Sequence, residues 1–236
     1  MNKANSRLLV VLIVSNSLSL CVSAQSSGSS NSANNSKLFM AWGFSPALSF
    51  ECSPSFAYTA YSQISNYPAA GYTYEQNTVQ APGHFTWDEF VFIYKVRYNL
   101  KEYDANHSLS LSVLPAIGAG ESFQGGLGSF NIPLMIEYNS GNVATYTSDQ
   151  DKGIVLGVGI EYTNAPLLAL YAITAYDANG NIVTISQHTG WVEPVAEFGY
   201  RYWNKRNKAK EFNIKFGYGG NGAFTARLSW LKYIGY

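Results

Sequence analysis

The residues best suited to catalysis by type are three histidines and the acids and hydroxyls near them. Two groups could support hydrolytic chemistry of the Ser-His-acid kind, namely His84 with Asp88, and His188 with Ser186 and Glu193. No histidine sits in a zinc-binding spacing such as H-E-x-x-H, and the chain has neither a G-x-S-x-G elbow nor a phosphate-binding glycine loop. Because proximity in sequence does not establish triad geometry, we expect no catalytic residue, no metal site and no cofactor.

A second set of candidate functional residues consists of charged side chains at alternate positions within otherwise apolar segments. In each segment an apolar side chain alternates with a small, polar or charged one, which puts the charges on one face of a strand. Five basic and four acidic side chains nearly cancel, as charges that pair inside a low-dielectric interior should. They are Lys95, Arg97, Glu137, Glu161, Glu193, Glu197, Arg201, Lys215 and Arg227.

Eight segments with this period of two must position those charges. Most have about 9–12 residues, the length that a tilted strand needs to cross a bilayer. In the second segment, Phe90, Phe92 and Tyr94 alternate with Val91 and Ile93 before the first charged position. The segments cover 38–50, 90–99, 108–113, 130–138, 154–162, 192–202, 212–218 and 224–236.

Two architectures are compatible with this alternation. In a soluble sandwich the apolar face points inward and the polar face meets water, whereas in a membrane barrel the apolar face meets lipid and the polar face lines the lumen. The polar face here is rich in Gly, Ala and Ser with isolated charges of both signs. A narrow eight-stranded interior needs such small residues. The pattern therefore predicts an antiparallel up-and-down transmembrane β-barrel, with a soluble sandwich as the alternative.

The composition supports a folded β-rich chain and excludes several other classes. Of 236 residues, 47% are hydrophobic and 15% aromatic, whereas only 13% are charged. Disordered chains are poor in aromatic residues and rich in charge, and 21 glycines do not suit a coiled coil. The net charge is zero, so we expect no nucleic-acid partner.

The N-terminal residues predict export. Lys3 and Arg7 precede an apolar run over 8–14, and Val22-Ser23-Ala24 is a small-residue cleavage site, so we assign 1–24 to a signal peptide. Residues 25–37 are rich in Ser and Asn and are expected to be a flexible segment before a barrel domain over 38–236. Cleavage would leave one cysteine, so no disulfide is expected within the mature chain.

Three stretches resemble a known family. They are GSFNIPLMIEY (128–138), GIVLGVGIEY (153–162) and VEPVAEFGYRYW (192–203), and they are followed by an aromatic C-terminus. Together they resemble the outer-membrane β-barrel family common in Bacteroidetes-type bacteria, whose small members have the eight-stranded OmpA/OmpX architecture. The resemblance covers about residues 37–236 and implies a location in a Gram-negative outer membrane, with outer-membrane lipid and the barrel-assembly machinery as partners.

The resemblance gives further residues an expected role. A terminal strand with Trp230, Ile234 and Tyr236 is similar to the C-terminal signal that barrel-assembly machinery recognises. Lys232 puts a charge at one of the alternate positions that are otherwise apolar. The cluster Lys205, Arg206, Lys208 and Lys210 lies in an expected periplasmic turn and is a candidate for contact with lipid headgroups.

With a periplasmic N-terminus, 51–87 and 163–190 become long extracellular connections, while 100–106, 139–152 and 203–210 face the periplasm. The segment 167–187 contains its own hairpin pattern around Asn179-Gly180, which could extend the barrel or give it ten strands.

These features predict a small non-enzymatic barrel with a filled, charged lumen. It would act in envelope structure, or bind an extracellular ligand or partner through its loops. One alternative is a barrel subunit of a secretion or envelope machine, with a periplasmic partner at 139–152 or 203–210. The other is an outer-membrane enzyme that modifies lipid A or phospholipids.

Overall fold

The structure, a computed structural model, describes residues 37–65, 72–123, 126–169, 173–179, 181–185, 190–204 and 208–235. The predicted signal peptide 1–24 and nearly all of the predicted flexible segment lie outside the described residues. No helix in these ranges is long and apolar enough to cross a membrane. The strands are β1 (Leu38–Cys52), β2 (Phe56–Ser65), β3 (Tyr72–Ala81), β4 (Phe85–Asp104), β5 (His107–Val113), β6 (Ala116–Ser122), β7 (Gly126–Gly141), β8 (Lys152–Asn164), β9 (Leu168–Ala169), β10 (Ile173–Tyr176), β11 (Ile182–Ile185), β12 (Gly190–Trp203), β13 (Ala209–Tyr218) and β14 (Phe224–Tyr233).

The main sheet closes into a ring. Its order is β1-β14-β13-β12-β8-β7-β5-β4, and β1 also pairs with β4, so the first and last barrel strands meet. All of these pairings are antiparallel and join strands that follow one another around the barrel. The predicted up-and-down antiparallel barrel is therefore confirmed.

Strands β5 and β6 occupy a single place in the ring. Both pair with β4 on one side and with β7 on the other, and only Leu114 and Pro115 separate them. Proline has no backbone N–H for the ladder, but its carbonyl accepts a hydrogen bond from the Tyr94 amide at 3.0 Å. The pair thus counts as one interrupted strand, and the ring has eight strands, as predicted.

Burial in the barrel is the reverse of that in a soluble domain. On β8 the side chains of Val158 and Ile160 are 64% and 56% exposed, whereas inward positions of β4 carry the fully buried charges Lys95 and Arg97. The apolar parity of the strands faces outward and the polar parity faces the lumen. This arrangement excludes the soluble sandwich, in which the same alternation would have the opposite sense.

The strands extend beyond the predicted segments. β4 covers 85–104 instead of 90–99, and its hairpin with β5 turns at Ala105 and Asn106 alone. The expected turn at 100–106 was too long because polar residues there continue the strand beyond the apolar pattern.

Two irregularities interrupt the alternation near one end of the barrel. The register between β1 and β4 shifts between Pro46 and Ser49, where Ala47 has a φ of 49°. The register between β4 and β6 shifts between Asp88 and Phe90. An extra residue in a strand reverses which parity faces inward, so Asp88 is buried while Glu89 is exposed.

The two long connections carry a second sheet. Strands β2, β3, β10 and β11 form a four-stranded sheet of order β11-β10-β2-β3, in which Tyr176 pairs with Tyr61. The hairpin predicted within 167–187 exists as β10 and β11, although Gly180 of its turn lies outside the described residues. Neither hairpin joins the ring, so the ten-stranded alternative is wrong.

The two ends of the barrel differ in their connections. The hairpin end, as we call it, carries the β2–β3 and β10–β11 hairpins and the 3₁₀ turn Gly220–Gly222 between β13 and β14. The terminus end carries the starts of β1 and β5 and the ends of β4 and β14. It also carries the connection 142–151 between β7 and β8.

Candidate functional site in the barrel lumen

The lumen is the candidate site because it concentrates buried charge. All nine side chains predicted to line it are at most 5% exposed, namely Lys95, Arg97, Glu137, Glu161, Glu193, Glu197, Arg201, Lys215 and Arg227. Three further acids are buried with them, namely Glu51, Asp88 and Glu211. Among the described residues the inward faces thus hold five cationic and seven acidic side chains, which is two carboxylates more than cations.

Alternation within the sequence could have found two of the three missed acids. Glu51 continues the inward parity of Ser45 and Ser49 on β1, and Glu211 continues that of Asn213 on β13. Both were missed because the predicted segments were one residue too short: the first ended at Phe50, and the seventh began at Phe212. Asp88 had no such signal, because the bulge that turns it inward depends on pairing with other strands.

Lys95 organises the central network, which we define as Lys95, Arg97, Arg201, Glu137, Glu197 and Glu211. Its Nζ lies 3.0 Å from a carboxylate oxygen of Glu137, 3.1 Å from one of Glu197 and 3.0 Å from one of Glu211. The strands bring these carboxylates from β7, β12 and β13 to one point. Because three cations face three carboxylates, this part of the lumen is charge-balanced.

Arg201 and Tyr233 complete the hydrogen bonding of Glu211. The Nε of Arg201 donates to Glu211 at 2.7 Å, and the Tyr233 hydroxyl donates to the same oxygen at 2.6 Å. The guanidinium of Arg97 lies 4.0 Å from the centre of the Phe39 ring. Phe39 is the one aromatic residue of β1 that breaks the predicted alternation, and this cation–π contact accounts for its inward position.

The terminus end of the lumen is closed by part of the β7–β8 connection. We call residues 142–145 the plug turn; all four are at most 2% exposed. Arg97 and Arg201 both donate to the carbonyl of Val143, and Ser108 donates to the carbonyl of Ala144 at 2.7 Å. Of the connection predicted at 139–152, residues 139–141 and 152 belong to β7 and β8, 142–145 fold into the barrel mouth, and most of 146–151 is exposed.

The hairpin end of the lumen holds a second group of charges, namely Glu51, Asp88, Glu161, Glu193, Lys215 and Arg227. Arg227 donates to Glu51 at 2.9 Å and to Ser49 at 3.0 Å. Lys215 forms an ion pair with Glu161. The hydroxyl of Ser129 donates to Asp88. Four carboxylates face two cations in this group, so the excess negative charge of the lumen lies at the hairpin end.

The remaining predicted site residues fall into two groups. Lys205, Arg206 and Tyr236 lie outside the described residues. Lys208 is exposed, Lys210 is half-buried, and Trp230 contacts Phe212 edge-to-face at 5.2 Å on the outer face of the barrel, with Ile234 half-buried.

The catalytic candidates do not form a triad within the described residues. Ser186 and His188 lie outside the described residues. The His84 backbone amide donates to Ser53 Oγ at 2.7 Å, and Asp88 is bound by Ser129, while Glu193 is buried in the lumen. No group of three metal-ligating side chains is assembled in the described part of the chain.

We expect the central network to control stability through Lys95. Replacing Lys95 by Met leaves three buried carboxylates without their shared cation, and removing one partner of a buried ion pair typically costs about 3–5 kcal/mol. Urea unfolding of the refolded barrel should show this loss. Lys101→Met changes an exposed lysine of the same strand and is the matched control. Equal unfolding midpoints for the two variants would contradict a stabilising role for the network.

Comparisons with known proteins give distant likenesses only. No protein-family model matches the chain, and no curated protein matches it significantly. The outer membrane protein OprG from Pseudomonas aeruginosa is 7% identical, with a TM-score of 0.36 over 86% of this chain and 99% of that chain. Ail, the attachment invasion locus protein of Yersinia pestis, is 7% identical, with a TM-score of 0.23 over 83% of this chain and 96% of that one. The strand ring and the burial pattern, not these likenesses, define the barrel.

Proposed function

We propose that the chain is a non-enzymatic integral barrel of a Gram-negative outer membrane, exported by its signal peptide and assembled by the barrel-assembly machinery. It would act in envelope structure, or bind a ligand or partner through its hairpin-end sheet. The observation that carries the proposal is the band of outward apolar side chains around a lumen of buried charges. Membership of the Bacteroidetes-type family is part of this proposal.

The apolar band is too extensive for a protein that faces water. Ile136, Val158, Val192 and Phe216 lie on four different strands and are each at least half exposed. Soluble monomers rarely expose a contiguous apolar patch of more than a few hundred Å². A band that continues from strand to strand matches the lipid-facing surface of a barrel.

A row of lysines on the outer face supports contact with lipid headgroups. Strand pairing puts Trp42, Lys232, Lys210, Tyr202 and Lys152 opposite one another on five successive strands near the terminus end. All five side chains point outward, since their neighbours in sequence face the lumen. Aromatic side chains and lysines are typical of the region where the hydrocarbon core meets the headgroups.

Lys210 and Lys232 are direct neighbours in the ladder, which is unfavourable for two like charges. Among the described residues, none of the three lysines of this row forms a salt bridge. A phosphate group between them would relieve the repulsion. An anionic phospholipid of the inner leaflet is therefore the partner that this row fits best, which extends the predicted headgroup role of Lys208 and Lys210 to Lys152 and Lys232.

The hairpin-end sheet is the surface available for an extracellular ligand or partner. Within the described residues, its outer strands β11 and β3 each pair on one side only, and Ile182 on β11 is 71% exposed. Unpaired strand edges are sites at which other chains can bind.

The membrane assignment predicts a characteristic behaviour in cell fractions. The protein should appear in the detergent-extracted outer-membrane fraction, and unboiled samples should migrate differently from boiled ones on a gel, because a closed barrel resists detergent. Full solubility without detergent, together with identical mobility before and after boiling, would overturn the proposal.

The filled lumen predicts that the barrel does not conduct ions freely. The central network and the plug turn together occupy the interior, so planar bilayers containing the protein should show no stable large conductance. An open porin in the same membrane provides the positive control. Stable channels of porin size would contradict the closed lumen, whatever the location of the protein.

The lysine row predicts a lipid preference that can be measured separately. Each lysine near an anionic surface contributes about 1 kcal/mol, so the double variant Lys210→Gln/Lys232→Gln should lose about 2 kcal/mol, or roughly 30-fold, in preference for phosphatidylglycerol over phosphatidylethanolamine. Native mass spectrometry of the lipid-bound barrel reports the ratio. Lys101→Gln, an exposed lysine outside the row, should leave it unchanged. Equal effects of the two changes would mean that the lysine row is not a specific lipid contact.

A further inference from the structure

A continuous row of buried oxygen atoms lines the hairpin end of the lumen. Strand pairing puts Ser122 opposite Thr86, Thr86 opposite Glu51, and Glu51 opposite Thr225. All four side chains point inward and are at most 7% exposed. Each has one side-chain oxygen without a hydrogen-bond partner. Buried polar atoms normally have a partner, so four consecutive exceptions mark a place that can hold water or an ion.

Glu193 adds a carboxylate to this row. It is 1% exposed, and among the described residues neither of its carboxylate oxygens has a hydrogen bond of good geometry, with the Thr225 hydroxyl and the Trp191 indole next to it. A Cβ atom placed on Gly217 would lie 2.5 Å from Glu193 Oε1 and 2.6 Å from Thr225 Oγ1, so these two oxygens converge on one point. The glycine at 217 leaves the room that this convergence needs.

The local charge also favours a cation. Asp88 lies opposite Ser49, two residues from Glu51 on the same inward face, and Glu51 interacts electrostatically with both Asp88 and Glu193. Arg227 also acts on Asp88 and offsets part of this repulsion. Arg227 pairs with Glu51, and Lys215 pairs with Glu161. In the described part of the chain, no salt bridge reaches Asp88 or Glu193. A buried carboxylate without a compensating charge is costly, so a bound cation would stabilise this end of the barrel.

We propose that the hairpin end of the lumen binds a hydrated divalent cation of the Mg²⁺ or Ca²⁺ class, held by Glu51, Glu193, Thr225 and Asp88. All of these donors are oxygens, which hard cations prefer. Among the described residues, no set of three metal-ligating side chains is close enough to form a cage by itself. A cation that keeps several of its own water molecules needs only one or two direct carboxylate ligands, and its waters reach the other oxygens. The site requires the barrel fold and does not depend on where the protein is located.

Trp191 provides a probe for the site. It is largely buried, and its indole nitrogen neighbours the Glu193 carboxylate without forming a hydrogen bond of good geometry. Tb³⁺ is a hard cation that binds oxygen donors and emits when a nearby tryptophan is excited. The folded barrel in zwitterionic detergent micelles should therefore show saturable Tb³⁺ emission that Ca²⁺ or Mg²⁺ displaces. The absence of anionic lipid keeps the lysine row out of the measurement.

The variants assign the emission to the proposed ligands. Glu193→Gln keeps the shape of the side chain and should weaken Tb³⁺ binding by about 10–100-fold, the usual effect of removing a group that supports a bound metal through water. Thr225→Val should also weaken it. Glu75→Gln, on the exposed face of β3, should have no effect. Trp191→Phe should abolish most of the emission while Ca²⁺ still raises the unfolding temperature, because a ligand that binds only the folded state stabilises it.

Several results would overturn the proposal. One is emission that does not saturate, or that survives unchanged in Glu193→Gln, because the cation would then bind at surface carboxylates. Another is the combination of no Tb³⁺ emission and no effect of Ca²⁺ on unfolding, which would mean that the carboxylates are neutralised by protons. A gel-mobility shift on boiling verifies that each variant is folded. If Glu193→Gln does not fold, the Tb³⁺ affinity of Thr225→Val tests the proposal in its place.

Discussion

The closure of the ring, in which β1 pairs with β4 on one side and with β14 on the other, is the constraint on which the rest of this structure depends. An open sheet edge in an apolar medium would leave backbone N–H and C=O groups without partners. Closing the ring with eight strands fixes an interior that side chains just fill. The inward positions therefore combine small residues, which save space, charged residues, which must neutralise one another, and some larger side chains such as Phe39, Met135 and Tyr233.

This neutralisation is uneven along the barrel. In the central network three cations meet three carboxylates, and the plug turn supplies the Val143 carbonyl to both arginines. The terminus end is thus closed by contacts among its own groups, with Arg97 Nε, Glu197 Oε2 and Asn142 Oδ1 left without a hydrogen-bond partner among the described residues. At the hairpin end four carboxylates meet two cations, and several oxygens have no partner within the protein. The chain contains few charged residues because the outward positions, which cover most of the surface, are apolar.

Much of the fold follows from alternation, since residues two apart share a face in any strand. That rule was sufficient for the strand ring and for the inward position of the nine charges. It failed where strand ends are set by partners: Glu51 and Glu211 lie just beyond the apolar pattern but are still paired in the ladder. It also failed at the plug turn and at the pairing of Tyr61 with Tyr176, because these contacts join residues far apart in sequence that have no periodic signal.

The bulge in β4 shows how an irregular backbone serves the site. Without it, the parity of Val91, which faces the lumen, would also turn Trp87 inward and leave Thr86 outside. On the outer face Trp87 stacks with Phe50 at 6.4 Å and donates to the carbonyl of Ala47 at 3.1 Å. The bulge thus moves the largest side chain of this stretch out of the barrel and puts a hydroxyl in line with Glu51. Bulges are frequent at barrel rims and beside functional sites, where they redirect side chains. The oxygen row at the hairpin end therefore depends on a break in the very alternation that identifies the barrel.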